Sequence, residues 1–323
     1  MQRIEFRAMN CQMLAVIDSD ESAATTALAE VPGWFERWEQ CFSRFRADSD
    51  LSQLNQRSGE WVPVCADLFS VIEAVLWAAH ISDGLVSPTL LAALERAGYD
   101  RSFEQLASNQ PIYSDATAGK TMAAHWREIQ VDADAMRVFL PAGTRLDLGG
   151  VAKGWAAEQA AARLCSLGAT LVDAGGDIAM RGDIATQGCR DNNEPWPIAI
   201  ADPFHPDEIL DTVLIRGGSV ATSGRDYRRW RIIGSGADTR IWQHHILDPR
   251  TGQPANTDVL SATVIAPQMV WAEAAAKTAL ILGSAEGMAW IEGHPDLAAT
   301  LVLDDGQVLR SRHMKDYTGE TWN

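Results

Sequence analysis

The stretch LDLGGVAKGWAAEQAAARLCSLGATLVDAGGD, Leu146–Asp177, sets two glycine pairs, Gly149-Gly150 and Gly175-Gly176, on either side of one helical pattern. The residues up to Leu148 read as the end of a strand, and the alanine-rich run from about Ala152 has the composition of a helix. The first N–H groups of a helix lack backbone partners and carry partial positive charge, so a strand-to-helix turn can hold a phosphate. Glycine there lets a ligand approach the backbone or lets φ turn positive, and Lys153 adds a full charge. Neither GxGxxG nor GxxxxGK followed by Ser or Thr is present, so this stretch alone leaves phosphate binding and plain turn chemistry both open.

Working outward, residues 4–17 alternate as a strand, and residues 21–45 have helical spacing with Trp34, Trp38 and Phe42 on one face. A helix is expected over 66–81, stopped by Ser82-Asp83-Gly84, and another from Pro88 to Ala97 with Gly98 as its cap. Short strands are expected within 120–148, then near 170–181, 196–201, 212–215, 219–222 and 229–233. The run WAEAAAKTALILG predicts a helix over 270–282 ending at Gly283, followed by a helix at 285–293 and a closing strand at 299–303. Strands and helices mix without regular βαβ alternation, which predicts an α+β fold of mixed or antiparallel sheets with flanking helices. The 323 residues, 46% of them hydrophobic, can bury a large core as one domain over 1–323 or as two interleaved subdomains.

A net charge of -16 repels nucleic acid and anionic membranes, so neither is expected as a partner. No run approaches the roughly 18 apolar residues of a membrane span, and the opening MQRIEFRAMNCQMLAVIDSD does not read as a signal peptide, which makes the cytoplasm the expected location. Only four lysines occur, Lys120, Lys153, Lys277 and Lys315, against 23 arginines. Any phosphate ligand must be held by such local charges. The cysteines, Cys11, Cys41, Cys65, Cys165 and Cys189, are odd in number and lack CxxC spacing, so they read as free thiols rather than a disulfide framework or structural zinc site.

Seven segments occur in one recognisable order: FSRFRADSDLSQLN, SDGLVSPTLLAALERAGYD, LDLGGVAKGWAAE, LVDAGGDI, ATSGRDYRRW, HHILDPRTGQP and WAEAAAKTALILG. In this the chain resembles the ApbE family of FAD:protein FMN transferases, a T-fold-related α+β architecture, over nearly its whole length. The resemblance implies FAD in a cleft between subdomains, a magnesium ion on its pyrophosphate, and transfer of FMN to a Ser or Thr hydroxyl of an acceptor protein with AMP leaving. Retention of FAD without catalysis, or hydrolysis of FAD to FMN and AMP, are the alternatives. By the same resemblance the carbonyl of Gly150 ligates the metal and Asp147 contacts the flavin nucleotide. Met9, Phe45, Leu85, Val86 and Ser87 surround the rings, and Gly149, Lys153, Gly175, Gly176, Asp177, Ser223, Arg228 and Ile246 complete the expected cofactor site. His245, in the HILDP segment, is the expected base, since imidazole titrates in the range that suits proton transfer.

Two positions depart from the family pattern. Its helix usually carries an Asp and, four residues later, a Thr, both metal ligands; here these are Glu273 and Lys277. Spacing of four keeps both on one helical face, but a protonated lysine cannot ligate a metal. Either the two form an ordinary surface pair, or the Lys277 ammonium takes over part of the cation's role at the pyrophosphate, with Glu273 orienting it or holding a weaker metal. Ser87 also replaces a usual Asp.

Overall fold

The computed structural model describes residues 1–106, 112–113, 125–182, 194–233 and 240–318. Lys120 and Cys189 lie outside them. The chain forms two compact units, each assembled from separate segments: Met1–Glu36, Lys153–Gly224 and Thr257–Asn323 in the first, Arg37–Ala152 and Arg225–Asn256 in the second.

The first unit is built on an eight-stranded sheet whose strands lie side by side in chain order: β1 (Gln2–Ala8), β2 (Cys11–Asp18), β3 (Ala169–Ala174), β4 (Ile178–Arg181), β5 (Gly218–Gly224), β6 (Val259–Ala266), β7 (Ala298–Leu303) and β8 (Val308–Arg310). Every pairing is antiparallel. The expected strand over 4–17 is thus a hairpin. Ala8 pairs with Cys11, and the two residues between, Met9 and Asn10, both take positive φ, 49° and 59°. Such a turn matches the twist of the flanking strands, but it holds Met9 in a region that residues with a Cβ avoid. Gly175 and Gly176, with φ of 71° and 96°, make the same kind of turn between β3 and β4, closed by the Ala174 N–H donating to the Asp177 carbonyl at 2.9 Å.

Alternation along β3 explains the layers. Leu171 points into an apolar cluster with Val16, Met180, Val220 and Ile265 of the sheet and with Trp196, Ile198, Ile200, Val213 and Ile215. Those last five come from an antiparallel pair, Trp196–Ala201 and Ile209–Ile215, that covers this face. The neighbouring Thr170 points the other way and donates its hydroxyl to the Ala161 carbonyl at 3.2 Å. Ala161 belongs to the helix Ala152–Leu164, which therefore lies on the opposite face.

Numbered along the chain, the helices are α1 (Ser22–Phe42), α2 (Asp50–Gln56), α3 (Ala66–Ile81), α4 (Leu91–Arg96), α5 (Phe103–Leu106), α6 (Ala152–Leu164), α7 (Met269–Leu282) and α8 (Ser284–Glu292). On α1 the buried residues include Leu28, Val31, Phe35, Trp38, Cys41 and Phe42, while Trp34 is half-buried beside the Arg163 guanidinium. The alanine-rich α7 packs across β5 and β6. No element is expected from the sequence over Val259–Ala266, yet this is a strand with neighbours on both sides. Layers on both faces bury nearly all of it, which erases the alternation that marks a half-exposed strand.

The second unit holds α2 to α5 and three small sheets: Trp61–Pro63, Arg137–Phe139 and Gln130–Asp132; Arg240–His244, Arg229–Ile233 and Ile112–Tyr113; and Leu247–Asp248 with Gln253–Pro254. Helix α4 is shorter than expected, starting at Leu91, because residues 85–90 form a loop. It ends as its sequence requires: Gly98 takes φ of 93°, and the Gly98 and Tyr99 N–H groups donate back to Glu95 and Leu94. Leu146–Leu148 is not a strand. The Asn55 side-chain amide imitates one for it, accepting from the Leu146 N–H at 2.7 Å and donating to its carbonyl at 2.9 Å. Leu146 and Leu148 are buried while Asp147 between them is half-buried, so the pattern looks like a strand without being in a sheet.

No helix among the described residues is long and apolar enough to cross a membrane. The architecture is α+β, as expected.

Candidate active site

In the first unit, α6, α7 and the β3–β4 turn bring four of the expected residues together. The Lys153 ammonium lies 2.5 Å from Asp177 Oδ2, with both side chains mostly buried. One turn apart on α7, the Lys277 ammonium lies 3.7 Å from Glu273 Oε1. Glu273 is 1% exposed, and its Oε2 is buried without a hydrogen-bond partner. That carboxylate packs onto α6 at Gly154, where a Cβ would stand 2.5 Å from Oε2 and 2.5 Å from Met269 Cγ. Any other residue there would force the Glu273 carboxylate and Met269 to move.

Burial is the main cause that pushes the Glu273 carboxyl above the ordinary carboxylate range; Lys277 and Lys153 oppose this, and Asp177 adds to it. Asp173 is raised in the same way by burial, against the Gly176 N–H that donates to its Oδ1 at 2.8 Å. Two ammonium groups thus lie among Asp177 and two carboxyls, Glu273 and Asp173, whose charged forms burial disfavours. That shift lessens the negative charge set against the two lysines in an acidic protein. Asp173 is a residue that sequence reasoning missed, two residues before the glycine pair.

In the second unit, Asp147 is held by Arg44, whose Nε lies 2.6 Å from its Oδ2. The Arg44 guanidinium also donates to the Tyr99 carbonyl at 2.8 Å and lies over the Phe45 and Tyr99 rings, 4.1 and 4.7 Å from their centroids. Tyr99 in turn meets Trp230, with centroids 5.3 Å apart. Phe45 is thus the exposed end of a row of mutually tilted aromatic rings, the first two over one cation, and its face is one on which a planar heterocycle can rest. Of this group the family resemblance singled out Phe45 alone; Arg44, in the same FSRFR run, Tyr99 and Trp230 are joined to it only by the fold. Asp147 Oδ1 accepts from the Gly149 N–H at 3.0 Å, and Gly149 and Gly150 form the turn before α6.

The adjacent histidines have separate settings. His244 Nδ1 accepts from the Ile246 N–H at 3.3 Å and its Nε2 lies 3.0 Å from the Ala255 carbonyl, so the ring serves as a neutral bridge with its proton on Nε2. Burial, foremost, lowers its pKa from 6.5 to about 4. The unfolded chain therefore takes up a proton first as pH falls. The contribution is fully present above pH 6.5 and is lost by about pH 4, a difference of up to about 3 kcal/mol. In urea titrations His244→Gln should lose less stability than the parent between these pH values; parallel curves would show that His244 carries no such term. His245 is half-buried, with Nδ1 shielded from solvent.

The remaining expected residues fall as follows. Leu85, Val86 and Ser87 are half-buried in the loop before α4, where the Ser87 and Thr89 hydroxyls are 3.0 Å apart. Ile246 is buried, Ser223 is buried on β5, and Arg228 is half-buried in a bend. Asp248 caps its own turn, accepting from the Arg250 backbone and guanidinium.

A model of the ApbE family matches residues 9–301. An FAD:protein FMN transferase of Treponema pallidum is 31% identical over 302 residues, covering 90% of this chain and 80% of its own length. One of Vibrio cholerae is 26% identical, covering 87% and 81%. The crystal structure of an ApbE protein from Thermotoga maritima superposes with a TM-score of 0.83 at 27% identity, over 99% of each chain.

Proposed function

Because the chain belongs to the ApbE family, we propose that it transfers the FMN moiety of FAD to a Ser or Thr hydroxyl of an acceptor protein and releases AMP. The observation that carries this reading is the match to FAD:protein FMN transferases over nine-tenths of the chain. The acceptor oxygen bonds to the phosphorus of the FMN half, and the bond from that phosphorus to the bridging oxygen breaks. AMP leaves with the bridging oxygen. His245 takes the hydroxyl proton, and the Phe45–Tyr99–Trp230 row offers a ring platform held by Arg44 and Asp147.

The residues on α7 do not fit a magnesium site. Magnesium demands oxygen ligands in octahedral geometry, whereas Lys277 offers an ammonium without a lone pair, 3.7 Å from the carboxylate that would be the other ligand. A divalent ion beside it would be repelled. We assign the pyrophosphate charge instead to Lys153 and Lys277. With its described cysteines free, the chain suits a reducing cytoplasm, where the acceptor would also reside.

Incubation of the protein with FAD and an acceptor peptide, followed by mass spectrometry and an assay for AMP, tests the reading. Flavinylated peptide and AMP are expected. FMN and AMP without modified peptide would make the protein a hydrolase, and bound but unchanged FAD would make it a binding protein.

A further inference from the structure

Three side chains outside the proposed active site converge within the second unit. Cys41 is in the last turn of α1, Asp50 is the first residue of α2, and Cys65 is the N-cap of α3. Cys41 Sγ and Cys65 Sγ are 3.3 Å apart, and each lies 3.3 Å from Asp50 Oδ2. Separations of 9, 15 and 24 residues match no linear cysteine motif, which is why the sequence showed nothing here.

We propose that Cys41, Cys65 and Asp50 form a binding site for a borderline-soft divalent cation, zinc first, with its fourth position open to water. Two sulfurs and a carboxylate oxygen are a donor set that zinc favours and magnesium or calcium do not. The three atoms form a nearly equilateral triangle. An ion at the usual ~2.0–2.3 Å from each would sit about 1.2 Å above its plane, leaving one tetrahedral position free. Tetrahedral bonds of that length hold sulfurs about 3.7 Å apart, so the site needs to open by only a few tenths of an ångström. A disulfide instead needs the sulfurs to close to about 2.05 Å, and it would remove both S–H donors from Asp50. The carboxylate therefore favours the metal. Asp50 and Cys65 are exposed, so an ion has a path in, while Cys41 is buried and anchors the site in the fold. Binding displaces the two thiol protons to solvent and ties together the ends of three helices.

The test uses the full chain, free of FAD and metal and reduced with a phosphine, titrated with Co2+ as a spectroscopic substitute for zinc. One equivalent should produce a thiolate-to-cobalt charge-transfer band and strong visible absorption of a tetrahedral ion, both bleached by Zn2+. Cys41→Ser and Cys65→Ser should lose the charge-transfer band or most of it, and Asp50→Asn should weaken uptake. Cys65→Ser alters an exposed position, and its circular dichroism and FAD binding should match the parent. Absence of the band in the parent, or its persistence in Cys65→Ser, overturns the proposal. So does a Cys41–Cys65 disulfide on peptide mapping of air-exposed protein that takes up no cobalt when reduced.

Discussion

Lys277→Ala binds FAD about a hundredfold more weakly than the parent, since losing one mostly buried charged contact costs on the order of 2–5 kcal/mol and 1.4 kcal/mol is a factor of ten. The cause is the charge balance around α7. Lys277 and Lys153 supply the positive charge, and burial holds Glu273 toward its neutral form. The same balance sets the expectation for Glu273→Gln, which places a neutral amide where burial already disfavours the charged carboxylate and leaves FAD affinity within a few-fold. A carboxylate that held a metal would behave in the opposite way, and its loss would abolish binding. The two variants, compared by fluorescence titration of FAD, thus separate an ammonium site from a metal site. Equal loss in both, or retention in Lys277→Ala, contradicts the assignment.

His245→Ala lowers the rate of flavin transfer by about 10²–10⁴-fold, the range that a positioned general base contributes, while leaving FAD affinity unchanged. Its test is single-turnover AMP release with saturating FAD, together with partial rescue by added imidazole. His244→Gln, one residue away, should transfer at close to the parent rate near neutral pH. If His245→Ala instead lost FAD affinity and transfer together, His245 would be a binding residue and the proton would need another acceptor.

Much of this fold was legible because its signals are local. Helices α3 and α7 follow their apolar patterns and end where Ser82-Asp83-Gly84 and Gly283 require. The β1–β2 hairpin was not legible, because Met9-Asn10 is a poor turn dipeptide that the paired strands force into positive φ. A methionine held there against its backbone preference stores strain, and such strain gathers at functional positions. Val259–Ala266 was hidden by burial on both faces, and Leu146–Leu148 passed for a strand because an asparagine amide replaces a ladder partner.

The candidate site divides in the same way. Lys153, Asp177, Glu273, Lys277 and His245 stand in segments whose order identifies them. Arg44 with Tyr99, and the Cys41–Asp50–Cys65 triangle, exist only through space. Their partners are set by packing between elements, and spacing along the chain does not reveal that.

If two lysines, with no divalent ion, hold the FAD pyrophosphate, calorimetry of FAD binding to metal-free protein should give the same affinity in EDTA and in excess Mg2+. Binding that appears only with Mg2+, or no binding in either solution, would contradict that assignment.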